Sequence, residues 1–205
     1  MSRRRVLVIP TGVANLASIV AGLSRLDVEP TFQADAAAVA EAEYVVLPGV
    51  GAFAAGMKYL QENGLAEPLV RRIEEGKPTL AVCLGLQLLC RESEESPGIK
   101  GLGVIDQPIR RFSDQVRVPQ LGWNKVVPDD CRLLLEGYAY FANSYRLTAT
   151  PEGWHVAHAQ YDGRFLAALE RGAVLACQFH PELSGPYGLE LLRRWLNDGV
   201  GGDAC

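Results

Sequence analysis

The run TLAVCLGLQ at residues 79–87 constrains this chain most, because an apolar strand ends at Cys83 and a leucine-rich helix begins at once. A strand that turns straight into a helix needs small residues beside the turn, and Ala81 and Gly85 stand two before and two after the cysteine. Such an elbow lifts one side chain clear of the sheet. A thiol placed there meets the unpaired N–H groups and the positive end of the helix dipole, which favour thiolate over thiol. Taken alone, the segment also fits an inert cysteine buried in a core.

A second segment, VLACQFHPE at residues 174–182, supplies what a thiol nucleophile needs. Its apolar run reads as a buried strand stopped by Pro181, leaving His180 and Glu182 at the C-terminal end, where open α/β sheets place their sites. The imidazole takes the thiol proton and the carboxylate fixes its tautomer. The chain has only 3 histidines, so the choice of base is narrow. His155 and His158 lie in a strand-like stretch with no neighbouring carboxylate and read as ordinary strand residues. Cys83, His180 and Glu182 are therefore the candidate catalytic set.

These residues resemble the class I, triad-type glutamine amidotransferases, whose elbow cysteine and His-Pro-Glu pair they match. PGVGAF at residues 48–53, GWN at 122–124 and YFANSY at 140–145 look like the segments that mark the branch of that family working in histidine biosynthesis. The similarity runs from about Val6 to Leu196. It implies an α/β, flavodoxin-like fold: a mostly parallel central sheet flanked by helices, with a smaller antiparallel or mixed extension. The implied activity is hydrolysis of glutamine to glutamate and ammonia through a cysteine thioester. The ammonia passes to a (β/α)8-barrel cyclase subunit held as a heterodimer, with no cofactor and no metal.

Residue roles follow from the same resemblance. The backbone N–H of Leu84 and one from Val50 or Gly51 are expected to hold the oxyanion. Gly49, Gln87, Glu95, Ser144 and Tyr145 are expected to bind glutamine, although from the pattern alone Gln87 and Glu95 read as solvated helix positions. Asn15, Trp123, Asn124 and Tyr138 match partner-interface positions. The chain departs from the family at Ala81, Pro10, Gln120, Asn143 and Leu183; the last replaces a basic residue after His-Pro-Glu and removes a charge contact expected with the partner. Two other readings use the same residues: a paralogous glutaminase feeding a related barrel synthase, and a non-catalytic module of amidotransferase shape.

Length and composition agree with one domain spanning residues 1–205, with a loose tail from about 199, since 48% hydrophobic residues can fill one core and no linker divides the chain. A formal charge of −4 with both signs interspersed gives no reason to expect nucleic acid or a membrane surface as partner. No apolar run is long enough for a membrane span or a signal-peptide core, and the 5 cysteines are odd in number without metal-finger spacing, so a cytoplasmic protein is expected. Cys83 and Cys90 sit a helix apart, too far for a disulfide.

The coarse pattern predicts strands over residues 5–9, 44–47 and up to Cys83, with helices over 15–26 and 65–75, which is β-α repetition around a parallel sheet. Shorter strands follow over 103–105, 123–127, 139–141, 154–161, 165–169 and 174–179, and a helix over 187–196 closes the chain.

Overall fold

The apolar runs become strands covered on both faces. The computed structural model describes residues 3–11, 16–32 and 35–198; the expected interface residue Asn15 and the tail from 199 lie outside them. The chain forms β1 (Arg4–Val8), α1 (Leu16–Ser24), β2 (Val28–Thr31), α2 (Ala36–Glu41), β3 (Tyr44–Leu47), α3 (Phe53–Glu62), α4 (Ala66–Glu74), β4 (Thr79–Val82) and α5 (Leu84–Leu89). There follow β5 (Cys90–Ser93), β6 (Ile105–Arg111), β7 (Gln120–Asp129), β8 (Gly137–Asn143), β9 (Tyr145–Arg146), β10 (His155–Gln160), β11 (Arg164–Arg171) and β12 (Val174–Cys177). A 3₁₀ turn (Pro181–Leu183) leads into α6 (Gly185–Asp198).

Nine strands form one sheet in the order β2-β1-β3-β4-β12-β11-β10-β7-β8. The first five are parallel, and from β12 outward every pairing is antiparallel. The expected antiparallel extension is the continuation of the main sheet, with a small β5-β6-β9 sheet beside it. The predicted strand at 103–105 begins only at Ile105 and runs on to Arg111.

Period-2 alternation divides the side chains of the parallel strands between two cores. Val6, Val8, Val46, Leu80, Val82 and Leu175 face α1 and α6 through Ile19, Leu23, Leu191 and Trp195. Leu7, Val45, Leu47, Ala81, Val174 and Ala176 face α3, α4 and α5 through Met57, Leu60, Leu69, Ile73 and Leu86. Both faces being apolar explains why these strands read as continuous hydrophobic runs.

The short parallel strands are tied at their N-terminal ends by Arg72, which is 1% exposed. Its guanidinium donates to the carbonyls of Ala42 at 3.0 Å and Pro78 at 2.9 Å and to the Thr79 hydroxyl at 3.0 Å, joining the α2–β3 and α4–β4 turns. Burial lowers it to about 10, leaving it charged at neutral pH. The opposite, C-terminal ends of β4 and β12 are left to the site.

Candidate active site

Cys83 follows β4 with φ 54° and ψ −108°, a conformation that L-residues rarely adopt. Strain of this kind costs about 1–3 kcal/mol and persists only where the surroundings dictate it. Here the Cys83 N–H donates to the Cys177 carbonyl at 2.7 Å, continuing the β4–β12 ladder, and α5 packs down at once. Gly85 permits that approach, because a Cβ there would lie 2.0 Å from the Leu47 carbonyl oxygen.

β12 is the parallel neighbour of β4, so His180, three residues past its end, arrives beside the elbow. Its backbone N–H donates to the Tyr140 carbonyl at 2.9 Å, and its own carbonyl accepts from the Ser184 hydroxyl at 2.6 Å. Ser184 Oγ in turn accepts the Tyr140 N–H at 3.0 Å, pinning the turn to β8. The Nδ1 of His180 lies 2.8 Å from Glu182 Oε1, both side chains buried, which leaves Nε2 for the thiol. Gly22 of α1 packs against Glu182; a Cβ there would stand 3.0 Å from the Glu182 Cβ.

Burial opposes charge on His180, but hydrogen bonds with Cys83 and Glu182 outweigh it and raise the imidazole from 6.5 to about 10. A group whose pKa rises on folding contributes its stability in full below the unfolded value and loses it as pH climbs through the folded one. The stability difference between the wild type and His180→Gln is therefore expected to be largest near pH 6 and to lose its pH-dependent part by about pH 10. Urea unfolding across that range checks it; a difference that grows with pH would refute the imidazolium.

The cleft in front of Cys83 has a volume of 260 Å³ and is lined by Val50, Gly51, Cys83, Leu84, Gln87, Glu95, Asn143, Ser144, Tyr145 and His180 among others. It gathers segments spread over more than a hundred residues of sequence. A larger depression of 590 Å³ at Arg5, Thr31 and Glu41 has neither thiol nor imidazole. No group of three or more His, Cys, Asp or Glu arranged to hold a metal occurs among the described residues.

Two expectations from the local pattern are corrected. Gln87 is on a helix but buried, 5% exposed, because α5 packs between the cleft and the second core. Glu95 is on no helix: it follows β5 in a turn, and its carboxylate accepts the Phe53 N–H at 2.6 Å. It thereby caps α3, whose N-cap residue Ala52 has no side chain able to do so, a role worth about 1 kcal/mol. Burial and the Glu95 charge together push the Tyr145 phenol up.

The loop before α3 is closed onto the elbow. Gly49 is buried against Leu84, where a Cβ would meet the Leu84 Cβ at 2.6 Å, and its carbonyl accepts the Leu84 N–H at 3.3 Å. The expected oxyanion donor of Leu84 is thus engaged. Because a trans peptide holds C=O and N–H on opposite sides, the Val50 N–H of that same peptide points away from Leu84. Gly51 follows with φ 100°, open to glycine.

Trp123 and Tyr138 lie on the outer face of the β7–β8 ribbon with exposures of 58% and 61%. Trp123 packs edge-on to Tyr140 and reaches to Gly185, beside the exposed Leu183. Asn124 does not join them. Alternation turns it to the other face of β7, where its amide donates to the Gln160 carbonyl at 2.9 Å. Leu121, 62% exposed, shares the Trp123 face, and period 2 along β7 is the sequence signal that points to it.

The family model for "Glutamine amidotransferase class-I" matches residues 8–198. The chain belongs to that family. It is 37% identical over 196 residues to the imidazole glycerol phosphate synthase subunit HisH of Symbiobacterium thermophilum, covering 93% of this chain and 92% of that one. It is 43% identical over 167 residues to the chloroplastic imidazole glycerol phosphate synthase hisHF of Arabidopsis thaliana, covering 78% of this chain and 28% of that protein. Among solved structures, a crystal structure of a glutamine amidotransferase superposes with a TM-score of 0.74 at 21% identity, covering 95% of this chain and 98% of that one, and supports the fold. In this chain a cysteine stands at the elbow of a mixed sheet flanked by helices. No helix among the described residues is long and apolar enough to cross a membrane.

Proposed function

We propose that this amidotransferase chain is the glutaminase subunit of an imidazole glycerol phosphate synthase, a single cytoplasmic domain that feeds ammonia to a (β/α)8-barrel cyclase in histidine biosynthesis. One observation carries the chemistry: a thiol on a strained elbow faces an imidazole whose far nitrogen is 2.8 Å from a buried carboxylate. With the Cys83 proton already held by His180, Sγ attacks the carboxamide carbon of glutamine. The imidazolium returns that proton to the departing nitrogen, the C–N bond breaks, and a glutamyl thioester remains. Water, deprotonated by His180, then cleaves the thioester to glutamate. Glu182 holds the ring throughout. Gln87, Glu95, Ser144 and Tyr145, on the cleft wall, hold the amino-acid head of the substrate.

The oxyanion needs two donors. Rotation of the Gly49–Val50 peptide would free the Leu84 N–H and turn the Val50 N–H inward, and the Pro-Gly-Val-Gly sequence lowers the cost of that rotation. The closed loop is read as the resting state of a glutaminase that waits for its synthase.

Ammonia released into neutral water is mostly protonated and no longer nucleophilic, so the product has to pass directly to a second site. The face carrying Leu121, Trp123, Tyr138 and Leu183 borders the His180 turn and is the surface proposed to meet the cyclase. In the Arabidopsis relative the matching region is a minor part of a longer synthase, which supports a second unit alongside this one. Leu183 favours a related barrel synthase as the second reading, since it offers only apolar contact where a lysine or arginine would pair with a carboxylate.

Titration of purified cyclase against the chain, with glutaminase activity followed, tests the assignment. Leu183→Ala is expected to weaken binding by about 1–3 kcal/mol and Trp123→Ala by as much or more, since a large aromatic excludes more water. Salt should have little effect on either. Steep weakening of wild-type binding by salt, with neither truncation mattering, would place the interface elsewhere.

A further inference from the structure

The β4–β12 register pairs Val82 with Cys177, so the next residues along the two strands, Cys83 and Gln178, stand side by side. Gln178 is a polar residue inside an otherwise apolar run and is 0% exposed. Such a carboxamide has to be hydrogen-bonded at both ends. Its Oε1 accepts from Gln87 Nε2 at 3.0 Å, and its Nε2 lies 3.7 Å from Cys83 Sγ.

Neighbouring groups set the orientation. Gln87 Nε2 also faces the Tyr145 backbone carbonyl at 3.5 Å, a group that can only accept. The amino end of Gln87 therefore points to both partners, Gln178 has to answer with its oxygen, and its own amino group is left facing the sulfur. We propose that Gln178 is a donor to the nucleophile, holding Cys83 Sγ in place and supporting its anionic form, with Gln87 as the key that sets its direction.

The sulfur has a second polar neighbour, the Ala142 carbonyl at 3.9 Å, which can accept an S–H but offers nothing to a thiolate. The neutral thiol is thus served by Ala142 and the thiolate by Gln178 and His180. A hydrogen bond from Gln178, added to that of the imidazole, keeps Sγ in one rotamer for attack. It also links the Tyr145 edge of the cleft to the reacting atom through two side chains. This inference rests on Cys83 being the nucleophile of the proposed glutaminase, but its main readout needs neither glutamine nor the partner.

The test uses Gln178→Met, similar in length with no donor, and Gln178→Glu, similar in shape with an oxygen toward the sulfur. Alkylation of Cys83 by iodoacetamide is followed against pH on the full chain, with the modified residue located by mass spectrometry. The half-maximal pH is expected to rise by about one unit in Gln178→Met and further in Gln178→Glu. In the complex with the cyclase, kcat for glutamine should fall roughly tenfold in Gln178→Met while KM stays within about twofold. Wild-type alkylation profiles in both variants would overturn the proposal even if kcat fell, since only packing would then have changed. If Gln178→Met does not fold, Gln178→Leu, which lacks the donor and adds no charge, decides: an upward shift supports the donor and an unchanged profile refutes it. Absence of glutaminase activity in the wild type would instead reject the functional reading, leaving the alkylation result intact.

Discussion

Cys83→Ala is expected to abolish glutamine hydrolysis, lowering kcat by on the order of 10⁴-fold or more, while the fold and partner binding stay nearly intact. The magnitude follows from the mechanism, since removing the nucleophile deletes the thioester route and leaves only binding and oxyanion stabilisation. The fold should hold because alanine keeps the Cβ and the backbone bond to Cys177 that supports the elbow. Apart from its hydrogen bond with His180, the sulfur contributes only long contacts, 3.7 Å to Gln178 and 3.9 Å to Ala142. The variant complex, given an ammonium salt at elevated pH, should still run the cyclase reaction, because free ammonia bypasses the missing step. A steady-state glutaminase assay checks the first half and product formation from ammonium the second. Substantial residual hydrolysis would remove Cys83 from the mechanism. An intact complex that cannot use ammonium would argue against a separable glutaminase.

The isolated chain should be nearly silent, and its turnover should rise by at least about a hundredfold when cyclase and the cyclase's nucleotide ligand are both present. In the resting geometry the Leu84 N–H is engaged by the Gly49 carbonyl at 3.3 Å and the Val50 N–H points away, so the negative charge that develops on the substrate oxygen would face a carbonyl rather than two donors. Removing one oxyanion donor costs about 10²–10³ in kcat in hydrolases of comparable design, and here two are withheld. Activation has to move a population: every tenfold gain asks the partner to favour the open loop by about 1.4 kcal/mol, within reach of a protein interface. Glutaminase rates for the chain alone, with cyclase, and with cyclase plus ligand separate the contributions. Full turnover by the isolated chain would show that the loop opens unaided and would end the switch hypothesis.

Much of the candidate site is legible in the sequence because its chemistry sits at the ends of local patterns. An apolar strand, a thiol and a helix start are contiguous at residues 79–87, and His180, Pro181 and Glu182 are contiguous after the last strand. Both signals are short-range: turn sterics, a proline stop, period 2 giving way to period 3.6. The β-α repetition of the first half is legible for the same reason. Weaker elements, such as β2 with its internal Pro30 and the six-residue α2, carry too few periodic positions to announce themselves.

What only the tertiary structure decided depends on pairings between distant segments. The register of β4 against β12 joins residues 95 apart and makes Gln178 a neighbour of Cys83. Nothing near residue 178 encodes that. Antiparallel strands β11, β10, β7 and β8 could have formed their own sheet; hydrogen bonds between β11 and β12 merge them with the parallel one. Gln87 and Glu95 look solvated by residue type, yet one is buried under the cleft and the other caps a helix that starts forty-two residues earlier. Asn124 and Trp123 are adjacent in sequence and part company because a strand sends neighbours to opposite faces. The direction of the Gly49–Val50 peptide is likewise invisible in the sequence, since glycine permits either orientation and only the packed Leu84 N–H selects the one observed. Local sterics thus determined the elbow and its reactive ends, whereas long-range strand pairing and close packing determined which groups face the sulfur and which way the loop before α3 is turned.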